Sequence, residues 1–331
     1  MSLISRLLKA NPSAQVSDML TGYFVIPSAK GAVIDVANRG VFAGGWDGGS
    51  RVNVIDYINI ATTGNASDFG DLSTSFNYLT GGGSSTRGVF ANGATVASTA
   101  GTNIIEYITI ASTGNSTDFG DRTASNVVAG CAMSNSTRMV MIGGATWTND
   151  YITIATTGNA ISWGASIGGT TGDENACTAS SSTRGIHAAG YKNAPNAGPQ
   201  SQINYITFAT GGTFDSFGNL IKAGYSGKGG TSNGTRAVIK ADFGDNDMEY
   251  VTIASTGNAT YFGDVSGNLN YVLNAGDCSA GGRGIMTGYS GITNVIEYIT
   301  ITSTGTTTDF GDLTVARNTT GSTSGGHGGL Q

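Results

Sequence analysis

Apolar and polar positions alternate one for one in short stretches along the chain, as in "YITIAT" at residues 151–156. Alternation of β-branched Ile and Thr at period two is the mark of a strand with two unlike faces. The stretch recurs six times, as "IDYINIATTGN", "IEYITIASTGN", "NDYITIATTGN", "INYITFATGGT", "MEYVTIASTGN" and "IEYITITSTGT". Its tyrosines, Tyr57, Tyr107, Tyr151, Tyr205, Tyr250 and Tyr298, are spaced 50, 44, 54, 45 and 48 residues apart. A compact apolar run precedes each one: "RGVFAGG" at 39, "RGVFANG" at 87, "RMVMIGG" at 138, "RGIHAAG" at 184, "RAVIKAD" at 236 and "RGIMTGY" at 283. An aromatic phrase follows each, "DFGD" at 68, 118 and 309, varied to "SWGA", "SFGN" and "YFGD" in the other units. A looser fourth element, such as "NYLTGGGSST", lies before the next Arg. Each unit of about 48 residues therefore reads as four short antiparallel strands, with "TGN" supplying a tight hairpin turn. Segments this rich in Gly and β-branched residues are poor helix formers.

Four strands at this period predict an all-β fold, a six-bladed β-propeller over residues 31–331. Inner-strand candidates precede Arg87, Arg138, Arg184, Arg236 and Arg283, which leaves the first blade one strand short. The C-terminal "TVARNTTGSTSGG" is the expected closing strand, since 313–331 is otherwise an unpaired edge. The competitor is "GAVIDVA" at 31–37.

Two phrases, "TGGGSSTRGVFANG" and "NIIEYITIASTGNSTDFGD", resemble the kelch repeat, with its double Gly ending the second strand and its Tyr-bearing third strand. The Thr- and Gly-laden form resembles more narrowly the tail-fibre-like virion structural proteins of marine and cyanobacterial bacteriophages. The resemblance covers roughly residues 31–331. It departs at Ala241 and Asp242, which replace the double Gly in the fifth unit, and in the Phe that most units carry where cellular kelch blades have Trp. The resemblance implies a structural or host-contact component of a virion, in the tail, a fibre, another appendage or the capsid, made in the host cytoplasm. The alternative is a carbohydrate-binding or carbohydrate-acting propeller outside a virion.

Composition narrows the partners. Gly accounts for 53 of the 331 residues, and 39% are apolar with a net charge of only −6. Disorder requires fewer apolar residues and more charge, and nucleic-acid binding requires clustered Lys and Arg that this chain lacks. Neither a signal-peptide pattern nor a stretch of 18 apolar residues is present, so no membrane insertion is expected. Cys131, Cys177 and Cys278 are too few and too scattered for a disulfide framework or a zinc site. In the N-terminal extension, residues 1–30, "SLISRLLK" places Leu3, Ile4, Leu7 and Leu8 on one side of a short helix ended by Asn11-Pro12. An apolar helical face outside a closed ring calls for a partner, either another virion protein or a second copy of the chain.

Residues present in all six units are expected to serve packing. Phe69, Phe119, Trp163, Phe217, Phe262 and Phe310 read as core. The six repeat arginines read as hydrogen-bond donors between strands, with an anion-binding ring near the axis as the alternative. Only two histidines exist, His187 at an apolar strand position and His327 in a Gly-rich tail, so no enzyme activity, cofactor or metal is expected. The paired aspartates Asp68/Asp71, Asp118/Asp121 and Asp309/Asp312 offer too few oxygens for calcium and read as turn caps. The unrepeated loops between second and third strands share one face of the disc. That face carries the candidate recognition residues Trp46, Asp47, Trp147, Tyr191, Lys192, Asp245, Asp247 and Tyr289, with aromatic rings and polar groups suited to a host-surface glycan or protein.

Overall fold

The computed structural model describes residues 35–99, 101–125, 130–143, 148–164, 173–174, 176–192, 197–224, 229–240, 246–266, 277–287 and 291–330. The propeller unit starts at Asp35. Helices expected around Leu3, Ile4, Leu7 and Leu8 lie outside the described residues.

Six antiparallel sheets form the six blades. Their inner strands are Gly321–Ser324, Thr80–Gly83, Cys131–Ser134, Cys177–Ser180, Gly229–Ser232 and Cys278–Ala280, for blades 1 to 6. The second strands are the Arg-led runs, for example Arg39–Ala43 and Arg138–Ile142, buried along nearly their whole length. Such burial explains why these runs do not alternate: both faces of the strand meet a neighbouring blade. Third strands such as Ile104–Thr109 carry the Tyr, and fourth strands such as Thr117–Asp121 carry the aromatic. Six apolar clusters result, one for each seam between blades. No blade has a core of its own, so stability comes from contact with neighbours.

Blade 1 is closed by the C-terminus. Gly321–Ser324 pairs with Arg39–Ala43 in the register Gly40↔Ser324 to Ala43↔Gly321. Upstream of Arg39, Val36–Asn38 forms a 3-10 turn instead of a strand. The first and last strands of the propeller are thus joined inside one sheet, and the seam between blades 6 and 1 joins Phe42, Ile58 and Ile60 to Ile285, Phe310 and Leu313.

The structure corrects two expectations. "TGN" does not make the hairpin turn. That turn lies earlier, closed by Thr62 N–H donating to Asn59 O, and Gly64 follows it at φ +155. The paired aspartates are not turn caps either: Asp68 and Asp71 lie within the fourth strand, Ser67–Phe76.

Blade 4 is the irregular one. Its third and fourth strands, Gly198–Thr207 and Asp215–Gly224, are ten residues each. Their extra length carries a small second sheet in which Tyr191–Lys192 pairs with Asp173–Glu174 and with Gly198–Pro199.

Candidate functional site

The repeated residues are consumed by the seams. Each repeat Arg extends from its own blade into the next and donates to a main-chain carbonyl there: Arg39 to Ile110, Arg87 to Ile154, Arg138 to Phe208, Arg184 to Ile253, Arg236 to Ile301 and Arg283 to Ile60. Each guanidinium also lies over its own blade's Tyr at 4.2–5.2 Å, and each Tyr meets the aromatic of its own fourth strand edge-on. The arginines therefore bond between blades, and the expected alternative of an anion ring near the axis does not apply to them.

A second ring was missed in the sequence. The residue before each Tyr is Asp56, Glu106, Asp150, Asn204, Glu249 or Glu297, and all six are buried. Five are carboxylates that accept bonds from the preceding blade. Asp56 takes Thr314 and Arg317, Asp150 takes Arg122 and Thr123, Glu106 takes Ser73, and Glu297 takes Ser266. The Glu249 carboxyl accepts the Ile221 and Lys222 amides, yet burial outweighs them and pushes its pKa up. Arg122 and Arg317 are fully enclosed ion-pair partners of Asp150 and Asp56. Burial lowers the pKa of both guanidiniums against the pull of those carboxylates.

"TGN" is a third seam device. Gly114 N–H donates to Phe69 O of the previous blade, and Asn115 Oδ1 accepts from Asp71 N–H at 3.0 Å. Gly158 and Asn159 repeat this on Phe119 and Asp121.

On the loop face the candidate residues are spread around the ring. Trp46, on blade 1, is half-buried, and its main chain bridges Arg51 and Asn318, with the Arg51 guanidinium 5.9 Å from the ring. The Asp47 carboxylate accepts the Gly49 and Ser50 amides, which lower its pKa. Gly48 lies beside exposed Ile292 of blade 6, so loops of adjacent blades meet there. Across the ring, Tyr191 and Lys192 belong to the extra sheet of blade 4. Asp247 of blade 5 pairs with Lys222 of blade 4 at 2.6 Å, both partly exposed. Trp147, Asp245 and Tyr289 lie outside the described residues. His187 is fully buried, edge-on to Phe214.

At the axis, serine hydroxyls step from blade to blade. Ser324 donates to Ser279 O, Ser279 to Ser232 O and Ser232 to Ser180 O, each within 2.6–2.7 Å. After Ser324 the tail crosses the end of the channel. His327 Nε2 donates to Gly83 O at 2.8 Å while Nδ1 accepts the Gly329 N–H at 3.1 Å, which fixes a neutral tautomer. Burial lowers the His327 pKa, against the pull of the Gly83 carbonyl. A Cβ at Gly328 would fall 2.1 Å from Ser232 Oγ, and one at Gly329 would fall 1.9 Å from Ser134 O, so the tail's glycines let it lie flat across blades 2 to 5. His327 is thus part of a plug. Behind it lies a cavity of about 110 Å³ lined by all six inner strands.

The described residues contain no group of three His, Cys, Asp or Glu placed to share a metal. No protein-family model matches the chain, and no curated protein matches it.

Proposed function

We propose that this chain is a rigid, non-enzymatic, kelch-like propeller displayed on a phage particle, with its loop face turned toward the host surface. The observation that carries the reading is the division of labour between repeated and unrepeated residues. Arg, Tyr, the aromatic, the buried carboxylate and "TGN" are all engaged in seams, whereas the loops between second and third strands do not follow the repeat. A scaffold of that kind tolerates change at its loops without loss of the ring. The resemblance of the repeats to tail-fibre-like virion proteins supplies the phage context. Attachment falls to residues 1–30 through Leu3, Ile4, Leu7 and Leu8, docking on another virion protein or on a second copy.

Recognition would centre on Trp46 and Asp47, with Ile292 beside them, and on Tyr191 and Asp247 across the ring. Mass spectrometry and electron microscopy of purified virions test the placement: the protein is expected in stoichiometric amounts on the particle, and its absence rejects the reading. Alanine at Trp46, Trp147 and Tyr191 together is expected to reduce adsorption at least about tenfold, the loss of roughly 1.4 kcal/mol, while thermal unfolding stays cooperative. Unchanged adsorption by particles that carry the variant would make the propeller purely structural.

A further inference from the structure

The tail does not stop at Ser324, where the closing strand of blade 1 ends. Gly325 N–H donates to Arg39 O, Gly326 lies against Ala37 and Ala280, and the chain then leaves its own blade to cross the axis. His327 reaches Gly83 of blade 2, Gly329 lies against Ser134 of blade 3, and Gly328 lies against Ser180 and Ser232 of blades 4 and 5. Each of these contacts is the last residue of an inner strand. Inner strands turn there into second strands, as where Ser84 N–H donates to Arg87 O. The crossing therefore lies at the end of the ring opposite to the loops between second and third strands.

The imidazole holds this crossing in place. Its Nε2–H donates to Gly83 O at 2.8 Å while Nδ1 accepts the Gly329 N–H at 3.1 Å, and Leu330 N–H donates to the His327 carbonyl at 2.9 Å. One side chain thus ties the tail to blade 2 and also shapes the 3-10 turn Gly328–Leu330. Neutral imidazole can do both because it offers one donor and one acceptor nitrogen. A proton added to Nδ1 turns the acceptor into a donor, facing a Gly329 N–H that is itself a donor. Gly328 and Gly329 have no side chains to anchor the turn once that bond is lost. His327 is partly exposed, so protons reach it.

The titratable groups on the surrounding elements do not offset an imidazolium. Cys131 and Cys177 are the first residues of strands whose last residues meet the tail, and Lys240 pairs in register with Gly229, likewise the first residue of its strand. Burial pushes the Cys278 thiol up, so it is uncharged. Burial also pushes the Asp277 carboxyl up to about 8, against a backbone hydrogen bond from Thr287, so it is neutral through the acid range. Asp35, next to the turn on which Gly325 and Gly326 pack, is exposed and accepts the Asn38 amide. The six repeat arginines lie over their own third-strand tyrosines.

We propose that the tail is an acid-released plug: protonation of His327 frees residues 326–330 and opens the axial cavity at the end opposite to the loops, while the six blades stay closed. The closing strand is held by its own register, Gly40↔Ser324 to Ala43↔Gly321, in which the imidazole takes no part. Burial lowers the His327 pKa from its ordinary 6.5, and the Gly83 carbonyl opposes that shift. A pKa lowered in the closed state means that the plug is fully stable above about 6.5 and loses stability as pH falls through the closed-state value. Release uncovers Gly83 O and the cavity of about 110 Å³ behind it.

The test is amide hydrogen exchange of the full chain, corrected for the intrinsic effect of pH on exchange, at about pH 7.5 and about pH 5. Protection of the Gly329 and Leu330 amides should fall at least about tenfold between the two, while the amides of Arg39–Ala43 and Gly321–Ser324 stay protected. In His327→Gln, whose side chain keeps a donor and an acceptor but does not titrate, tail protection should be the same at both values, whatever its level. Nitrogen-15 shifts of the parent's imidazole give a second measurement that does not depend on the variant. His327 should pass from the Nε2–H tautomer to imidazolium with the same midpoint as the release of the tail. Equal tail protection at both values in the parent, a loss retained by His327→Gln, a loss shared by Gly321–Ser324, or an imidazolium that forms with the tail still protected would each overturn the proposal.

Discussion

The rim and the axis of the ring solve the same problem, joining one blade to the next, with opposite use of sequence. At the rim five seams are latched by a glycine amide donating to the aromatic residue's carbonyl: Gly64 to Phe310, Gly114 to Phe69, Gly158 to Phe119, Gly257 to Phe217 and Gly305 to Phe262. Main chain meets main chain there, and the same residue types recur. At the axis, the row containing Asp277 reads Gly81, Ala132, Thr178, Gly230, Asp277 and Ser322 from blade 2 round to blade 1. Inner strands are already held by their own sheets, so their inward side chains are free to differ. A repeat fold therefore keeps its individuality where the ring does not depend on identity.

The largest effect expected tests closure. Deleting 313–331 removes Leu313, Arg317, the inner strand of blade 1 and the axial plug together. The truncated chain should show no cooperative thermal transition, or should aggregate. A truncation that melts like the parent would mean the ring does not need its closing strand.

Next comes the buried charge at the same seam. Arg317 and Asp56 are both fully enclosed and 2.9 Å apart. Arg317→Met leaves Asp56 buried with only the Thr314 donors. Removing one member of such a pair costs about 3–5 kcal/mol, read as a loss of unfolding free energy in urea. Adding Asp56→Asn to that variant should recover part of the loss, because the stranded charge is then gone. No recovery would place the cost in the packing of the Arg317 side chain.

Six units, four strands each, the aromatic core and the C-terminal closing strand were all legible, because each leaves a periodic or unpaired signal in the chain. The buried carboxylates were not. Asp or Glu before Tyr is plain in "IDY", "IEY", "NDY" and "MEY", but a charge in an alternating strand reads as a solvent-facing residue. Its partners are also distant in sequence, as with Thr314 and Asp56, 258 residues apart. "TGN" was misread for a related reason: Gly and Asn after a strand signal a turn locally, and nothing local says that they reach across to another blade. The role of His327 was hidden because its partner, Gly83 O, is a main-chain atom. On the loop face, nothing local in the sequence indicated that Trp46 is stitched to Asn318 through its main chain.

A smaller effect separates the rim from ordinary packing. Gly120 has φ +141, and a Cβ there would fall 2.5 Å from Gly158 O of the neighbouring blade. Gly120→Ala combines a conformation that L-residues rarely adopt with a main-chain clash, and should cost about 1–3 kcal/mol. Gly64→Ala, where a Cβ meets nothing within 4 Å and φ is +155, isolates the conformational part and should cost less. Equal costs in urea unfolding would show that the close approach of the seam contributes nothing.

The smallest effect compares a latched seam with the one that is not. Between blades 1 and 2, Asn115 accepts the Asp71 amide, and Asn115→Ala should cost about 0.5–1.5 kcal/mol, the usual net value of one hydrogen bond. Between blades 3 and 4 the turn reads Gly211-Gly212-Thr213 and faces Trp163 in place of Phe. There a Cβ built on Gly164 would be 3.7 Å from Gly212 Cα, whereas the corresponding Cβ on Gly120 falls 2.5 Å from Gly158 O. The larger indole takes up the space in which the turn would otherwise dock: a Cβ on Gly211 would meet its ring at 3.7 Å. Thr213→Asn should therefore leave stability unchanged within about 0.5 kcal/mol, since the turn stands off from Gly164. If Thr213→Asn stabilised the protein as much as Asn115→Ala destabilises it, the latch would depend on Asn alone and not on the approach of the two glycine backbones.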